Sequence, residues 1–385
     1  MSECKEYKLG ELTIDGKGCY GIAAPAVDYD SNKYTYLRIT DINDDGTLNK
    51  NGLKSVDDKN AHKYLLQQND IVFARTGASV GRSYFYDERD GELVYAGFLI
   101  KYSIDPTKVN PKILKFYTHS QAYYDWIQTV DNGATRGNIN AQTYASMPII
   151  LPERQEQDRI ASILSSLDDK IDLLRRENAT LEAMAETLFR QWFVVEAMEE
   201  WVEGKLGDEF TFTMGQSPSG DSFNEEGIGI PMYQGNADFG FRFPTKRVFT
   251  TQPTRFAEPN DTLISVRAPV GAQNMATEKC CIGRGVAAFR YRKNPALYSY
   301  TYYKLKSLLE EIKQFNDNGT VFGSISKSDF ENLDIMIPDN ETIKMFQKQV
   351  KVIDDKIINN NNEIQTLIQT RDGLLPRLMN NEIAI

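Results

Sequence analysis

A chain of 385 residues is long for one ordinary domain and suits two or three. A quarter of it is charged and 41% is hydrophobic, a folded and soluble composition with no membrane-length apolar run and no signal-peptide core, so a cytoplasmic protein is expected. The net charge of −10 argues against a generic nucleic-acid coat, and dispersed Cys4, Cys19, Cys280 and Cys281 with only His62 and His119 leave no material for a disulfide scaffold, a zinc site or a histidine triad.

Residues 1–152 open with KLGE and mix short β-like runs (YTYLRI, DIVFA, LVYAGFLI) with one helix-like stretch, PKILKFYTHSQAYYDWIQ. Gly77 and Gly81 in RTGASVGR mark a tight turn after a strand, and the small polar loop GATRGNIN leads into MPIILP. Residues 153–198 form an amphipathic helix, with Ile160, Leu167, Leu174, Leu181 and Leu188 at seven-residue spacing and Leu164, Ile171, Asn178, Ala185 and Trp192 as the companion series. Residues 199–338 repeat the first part: KLGD, then TLISV, RAPVGAQN, GVAAFRY, a helix-like ALYSYTYYKLKSLLEEIKQF and the loop GTVFGSIS. Residues 339–385 carry a second heptad helix, with Val350, Ile353, Ile357, Asn360, Ile364 and Leu367 along its seam.

The parts recur at near-constant offset. LDDKI at 167–171 returns as IDDKI at 353–357, and DNGATRGNIN returns as DNGTVFGSIS, both 186 residues on. NDIVFARTGASVG at 69–81 returns as NDTLISVRAPVG at 260–271. A tandem duplication sets the architecture: an α+β chain of two tandem mixed α/β domains separated by two long helices packed as an antiparallel coiled coil, a pseudo-two-fold internal repeat. A parallel pair would bury two unpartnered amides at ~1–3 kcal/mol each. An antiparallel pair whose numbers sum to 538 sets Asn178 against Asn360, with Leu167 against Arg371 as its one poor layer, relieved by snorkelling. Such a rod is ~60 Å long at 1.5 Å per residue, a spacer between two globular parts.

Charge is unevenly placed. Residues 240–293 hold ten Lys/Arg against three acids, and 153–200 hold twelve acids against six bases, which suits one part touching phosphate and another touching protein. Turns of Gly, Ser and Arg place N–H groups and guanidinium against phosphates or guanine edges. The candidate DNA-binding residues are therefore Arg75, Thr76, Ser79, Arg82, Arg136, Asn138, Gln234, Asn236, Arg267, Gln273, Asn274, Arg284 and Ser324. Asn140 and Ser326 suit either base contact or capping of the next element. No P-loop pattern is present. The paired acids Asp168/Asp169 and Asp354/Asp355 read as solvated or partner-facing helix flanks rather than a metal site, so neither catalytic nor metal residues are expected.

KLGE repeated as WVEGKLGDEF with GQSPSG, the DIVFARTGASVG loop, GATRGNIN running into MPIILPERQEQDRI, and the helix-closing ETLFRQWFV and RDGLLPRLMNNEI resemble the DNA-specificity subunit of type I restriction-modification systems over essentially the whole chain. One departure stands out: Glu156–Gln157 at the first helix start has no counterpart in DNETIKMF. The resemblance implies a non-catalytic subunit in which two target recognition domains each read half of a split DNA site, while the helices set the gap and dock two methyltransferase subunits. Those partners would carry S-adenosylmethionine. ATP and magnesium enter only with a restriction subunit, and this chain needs no cofactor. The competing readings are a magnesium-dependent nuclease, a helical scaffold, and a stand-alone DNA-binding protein without a restriction partner.

Overall fold

The computed structural model describes residues 4–131, 138–316, 323–379 and Glu382. The chain forms two compact units, residues 1–173 with 363–385, and residues 174–362. The central helix Arg154–Arg190 and the C-terminal helix Asn340–Met379 each contribute to both units.

In the first unit an antiparallel sheet runs Cys19–Tyr20, Leu99–Ser103, Asp70–Ala74, Ser83–Phe85. A second sheet runs Ala26–Asp28, Lys54–Val56, Thr35–Leu37, Leu93–Tyr95, its last pair parallel. Lys5–Lys8 pairs with Pro148–Leu151 just before the central helix. The second unit repeats the topology: Phe210–Met214, Val286–Tyr291, Thr262–Ser265, Gln273–Met275 in one sheet, and Val202–Lys205 with Asp334–Ile337 as the outlying pair. Its other sheet runs Phe223–Asn224, Val248–Thr250, Ile230–Tyr233, Cys280–Ile282 and gains a fifth strand, Phe256–Ala257.

The repeated phrases mark shared backbone geometry. In KLGE and KLGD the fourth residue folds back on the first: Glu11 Oε2 accepts the Lys8 N–H at 3.0 Å, and Asp208 Oδ2 accepts that of Lys205 at 2.9 Å. In the two ND pairs the asparagine is left-handed (Asn69 φ 67°, Asn260 φ 70°), a conformation asparagine tolerates better than most residues. The aspartate then caps its own turn, Asp70 accepting from Gln67 N at 2.9 Å and Asp261 from Glu258 N at 2.8 Å. Gly81 (φ 87°) and Gly271 (φ 91°) close the hairpins, where any side chain would also meet Ile127 or Lys313.

Each helix-like stretch expected as one piece is two. Pro111–Tyr117 stops before Gln121–Asp131 because the Thr118 hydroxyl turns back onto the Lys115 carbonyl at 3.0 Å and also accepts from Ser83, competing with helix continuation. In the second unit Tyr298–Ser307 gives way to Leu309–Lys313 at Leu308.

The long helices pair antiparallel within each unit. In the second unit Asn360 Nδ2 donates to Asn178 Oδ1 at 2.9 Å and to Glu177 Oε2 at 3.0 Å, and both asparagines are buried. Farther along, Trp192 meets Phe346 edge-on, with Phe189 and Phe193 beside it, so the aromatic phrase ETLFRQWFV is core. Leu164, Ile171, Leu174, Val350, Ile357 and Ile364 are buried, and Leu167, Leu181, Ile353 and Leu367 half-buried. In the first unit Arg371 does not snorkel past Leu167. It bonds the neighbouring Asp168 at 2.9 Å, because a carboxylate there is already half-enclosed by Lys115 at 2.5 Å.

The acids of the LDDKI and IDDKI phrases correct the sequence reading. Asp168 and Asp354 are not solvated flanks: both are buried deeply enough to require partners, and both find cations from elsewhere in their own unit. Asp354 accepts from Arg242 Nη2 at 2.8 Å and from the Tyr303 hydroxyl at 3.1 Å, with Arg242 lying over the Tyr302 ring at 3.4 Å. Burial pushes the Asp168 carboxyl up, but Lys115 and Arg371 outweigh it and hold it below the usual carboxylate range. Asp169 and Asp355, one position on, are more exposed and pair with Arg89 and Lys351.

The departure at the helix start is repaired. Gln157 accepts the Asn110 N–H at 3.0 Å and donates to the Pro152 carbonyl at 2.9 Å. Gln347 holds Ser299 N at 2.9 Å and Tyr300 N at 3.2 Å in the second unit.

Replacing Asn360 with leucine strands the buried Asn178 amide, and urea unfolding should register a loss of ~1–3 kcal/mol, while N178L/N360L together should cost less than N360L alone. Burial pushes the Glu209 carboxyl up to about 7, against the lowering effects of Lys304 and the Tyr300 hydroxyl bond. Its folded state therefore holds a proton that the unfolded chain releases near pH ~4.3. Stability from this group is full below that pH and is lost as pH rises toward 7. E209Q should flatten this part of the thermal-midpoint profile; an unchanged slope would show that Glu209 is not its source.

Candidate nucleic-acid interface

Three segments meet at one end of the first unit's central sheet. Arg75, just past Asp70–Ala74, donates its N–H to the Phe98 carbonyl at 3.1 Å, and its own carbonyl accepts from Ile139 N at 2.9 Å. Thr76 and Asn138 form an isolated antiparallel bridge beside them. The second unit repeats the frame: Val266 N donates to Gly285 O at 2.9 Å, Ile325 N donates to Val266 O at 3.2 Å, and Arg267 bridges Ser324. The two predicted loop sets are thus adjacent in both units, although they lie about sixty residues apart in sequence. The next residue caps the following helix: Asn140 Oδ1 accepts Thr143 N at 2.9 Å, and Ser326 Oγ accepts Asp329 N at 3.2 Å. Asn140 and Ser326 therefore serve as caps.

The side chains on this frame differ. Arg75 lies over the Tyr20 ring at 4.9 Å and donates from Nη2 to Asn138 Oδ1 at 3.2 Å. Ser79 is buried within its turn, and Arg82 is a strut, bonding the Ile42 carbonyl at 3.1 Å and Asp44 at 2.7 Å. Arg136 lies outside the described residues. In the second unit Arg267, Arg284 and Ser324 are exposed, and among the described residues neither guanidinium has a hydrogen-bond or ion-pair partner. Arg284 is carried by a tight stack of loops: its N–H donates to Ser217 Oγ at 3.3 Å, and a side chain at Gly285 would fall 2.1 Å from the Gln234 carbonyl. Gln234 and Asn236 are exposed beside it.

Gln273 is half-buried and Asn274 buried, and both amides are engaged within the unit. Gln273 donates to the Tyr302 carbonyl at 2.7 Å, and Asn274, 1% exposed, brackets Gly240 through both its N–H and its carbonyl. Their strand runs into the core, which turns both amides inward.

The basic stretch is also less free than its composition suggests. Arg242 is buried against Asp354, and Lys246, Arg247, Lys279 and Arg290 pair with Glu278, Asp238, Glu258 and Asp261. Arg292 bonds backbone carbonyls. Arg255, Arg267, Arg284 and Lys293 are exposed and form no ion pair among the described residues.

Sequence reasoning missed the exposed aromatics Tyr20 and Phe98, 43% and 60% accessible, and the exposed Gln216 and Arg255. The signal was available for Phe98, which the shared frame aligns with Gly285: a large aromatic facing a glycine across the repeat is a difference in surface, since the backbone bond is the same. Among the described residues no cluster of three or more His, Cys, Asp or Glu could hold a metal ion, and no helix is long and apolar enough to cross a membrane.

Residues 1–183 and 198–370 each match the family described as type I restriction modification DNA specificity domain. The chain is 28% identical over 373 residues to a putative type I restriction enzyme MjaX specificity subunit of Methanocaldococcus jannaschii, covering 91% of this chain and 88% of that one. It is 23% identical over 478 residues to the type I restriction enzyme HindI specificity subunit of Haemophilus influenzae, covering both chains completely. The type I restriction-modification S subunit of M. genitalium shares the fold at a TM-score of 0.56, with 18% identity over 98% of this chain and 96% of that one. With two consecutive matches that span nearly all of its length, the chain belongs to the type I restriction-modification DNA specificity family, as a non-catalytic specificity subunit.

Proposed function

We propose that this subunit reads a bipartite, asymmetric site in double-stranded DNA, one half through residues 1–152 and the other through 199–338. The helices of residues 153–198 and 339–385 set the unread gap and dock two methyltransferase subunits, which bring S-adenosylmethionine. A restriction subunit using ATP and magnesium is an optional addition. The observation that carries this reading is the duplicated backbone frame holding different side chains: Arg75, Thr76 and Asn138 in one unit, Val266, Arg267 and Ser324 in the other. A scaffold would have no reason to vary the side chains on an otherwise preserved frame, whereas two readers of unlike half-sites must.

R267A and R284A should each weaken specific binding by the assembled complex by ~1–3 kcal/mol where the arginine reads a base edge, with the thermal midpoint unchanged. N274A should do the reverse, lowering stability by ~1–3 kcal/mol through the stranded Gly240 groups. Methylation mapping adds the decisive test: R267A should relax sequence preference in one half-site and leave the other intact. Equal relaxation of both halves would refute the division of labour. The chain alone, supplied with S-adenosylmethionine and DNA, should transfer no methyl group.

A further inference from the structure

Arg75, half-buried, differs from the exposed Arg267 and Arg284 in being aimed. Its guanidinium rests on Tyr20, and that ring is itself fixed, since the Tyr20 strand pairs with Leu99–Ser103 and its hydroxyl accepts the Ala141 N–H at 3.1 Å. Nη2 gives one hydrogen to Asn138 Oδ1, and Nε is buried with no partner among the described residues. Nη1 and the second Nη2 hydrogen remain uncommitted among the described residues, and they form the planar terminal fork of the guanidinium. Asn138 spends its carbonyl oxygen on the arginine, which leaves its Nδ2 hydrogens as the free donors of an exposed amide among the described residues. The patch offers donors, held in one plane, beside the exposed Phe98.

Such a surface selects a ligand edge made of two adjacent acceptors. On duplex DNA two groups qualify, a phosphate and the O6/N7 edge of guanine. A phosphate is met as well by a mobile arginine, whereas stacking and a side-chain hydrogen bond that fix the plane of the fork favour the flat guanine edge. We infer that Arg75 reads one guanine in the half-site of the first unit, with Tyr20 and Asn138 as its positioning residues. The inference rests on the DNA-reading function proposed above. The equivalent frame position in the second unit is Val266, so no such contact exists there.

The test uses the full chain assembled with its methyltransferase subunits and duplexes in which each guanine of the mapped site is replaced, one at a time, by 7-deazaguanine, which lacks the N7 acceptor. The wild type should lose roughly 5- to 150-fold in affinity at one guanine of one half-site. R75A should bind the natural site correspondingly more weakly and lose nothing further at that position, while its response to substitutions in the other half-site stays as in the wild type, which also certifies its fold. N138A, which leaves the arginine but removes its aim, should show a reduced response at the same guanine. If R75A instead weakens every duplex equally and lowers the salt dependence by about one phosphate contact, Arg75 holds backbone phosphate and the inference is overturned. It is equally overturned if R75A keeps the full 7-deazaguanine profile. Absence of sequence-specific binding by the assembled wild type would instead remove the underlying DNA-reading function, and the inference with it.

Discussion

In each unit an enclosed carboxylate of a long helix, the half-buried Asp168 or the buried Asp354, is held by cations from elsewhere in that unit. Asp168 and Asp354 occupy the same place in the repeated phrase, and each is satisfied by a cation from outside its own stretch of helix: Lys115 and Arg371 in the first unit, Arg242 in the second. A charge this enclosed has no cheap alternative, since removing either partner leaves an uncompensated ion in a poorly solvated site. The helix is therefore held at one rotation against the segments that carry those cations. From that fixed docking follow the burial of Ile160 and Leu164 against the first sheet's core and of Phe189 and Phe193 against the second.

The interface depends on that rigidity but shares none of its chemistry. Its frame is main-chain hydrogen bonding among three loops, indifferent to side-chain identity, and its contents are Arg75 on an aromatic ring in one unit and, on glycine-packed loops in the other, Arg267 and Arg284, unpaired among the described residues. Arginine thus plays three parts in one chain: structural ion in Arg242, strut in Arg82, and free donor in Arg284. Residue type distinguishes none of them; only the partner does.

The sequence made the architecture legible because duplication leaves a signal at long range and heptads leave one at short range. KLGE, ND and LDDKI were visible as repeats, and each proved to mark a turn cap, a left-handed residue or a buried carboxylate. The antiparallel register was legible from two asparagines, since an unpartnered buried amide is costly enough to decide between alternatives. The candidate interface was only half legible. Gly-rich turns after strands made Arg75, Arg267 and Arg284 candidates, but nothing local showed that Gln273 and Asn274 face inward, because strand alternation in so short a run is set by the partner strands. Tyr20 and Phe98 were passed over because an aromatic in a β-like run reads as core until its exposure is known. The break at Thr118 was hidden for a similar reason: a threonine within an apolar helical pattern gives no sign of which way its hydroxyl turns.

The two glutamines that hold the helix entrances carry a different lesson. Gln157 and Gln347 perform the same task on Asn110 and on Ser299, yet at the duplication's offset of 186 they are four positions out of step, slightly more than one turn of helix or ~6 Å along its axis. The clamp does not occupy one column of the repeat: in the second copy it stands about one turn farther on, on the same helical face, from which an amide reaches the equivalent backbone. What the two copies share at this joint is reach rather than register, so repeated halves can look unrelated at a joint that both close in the same way.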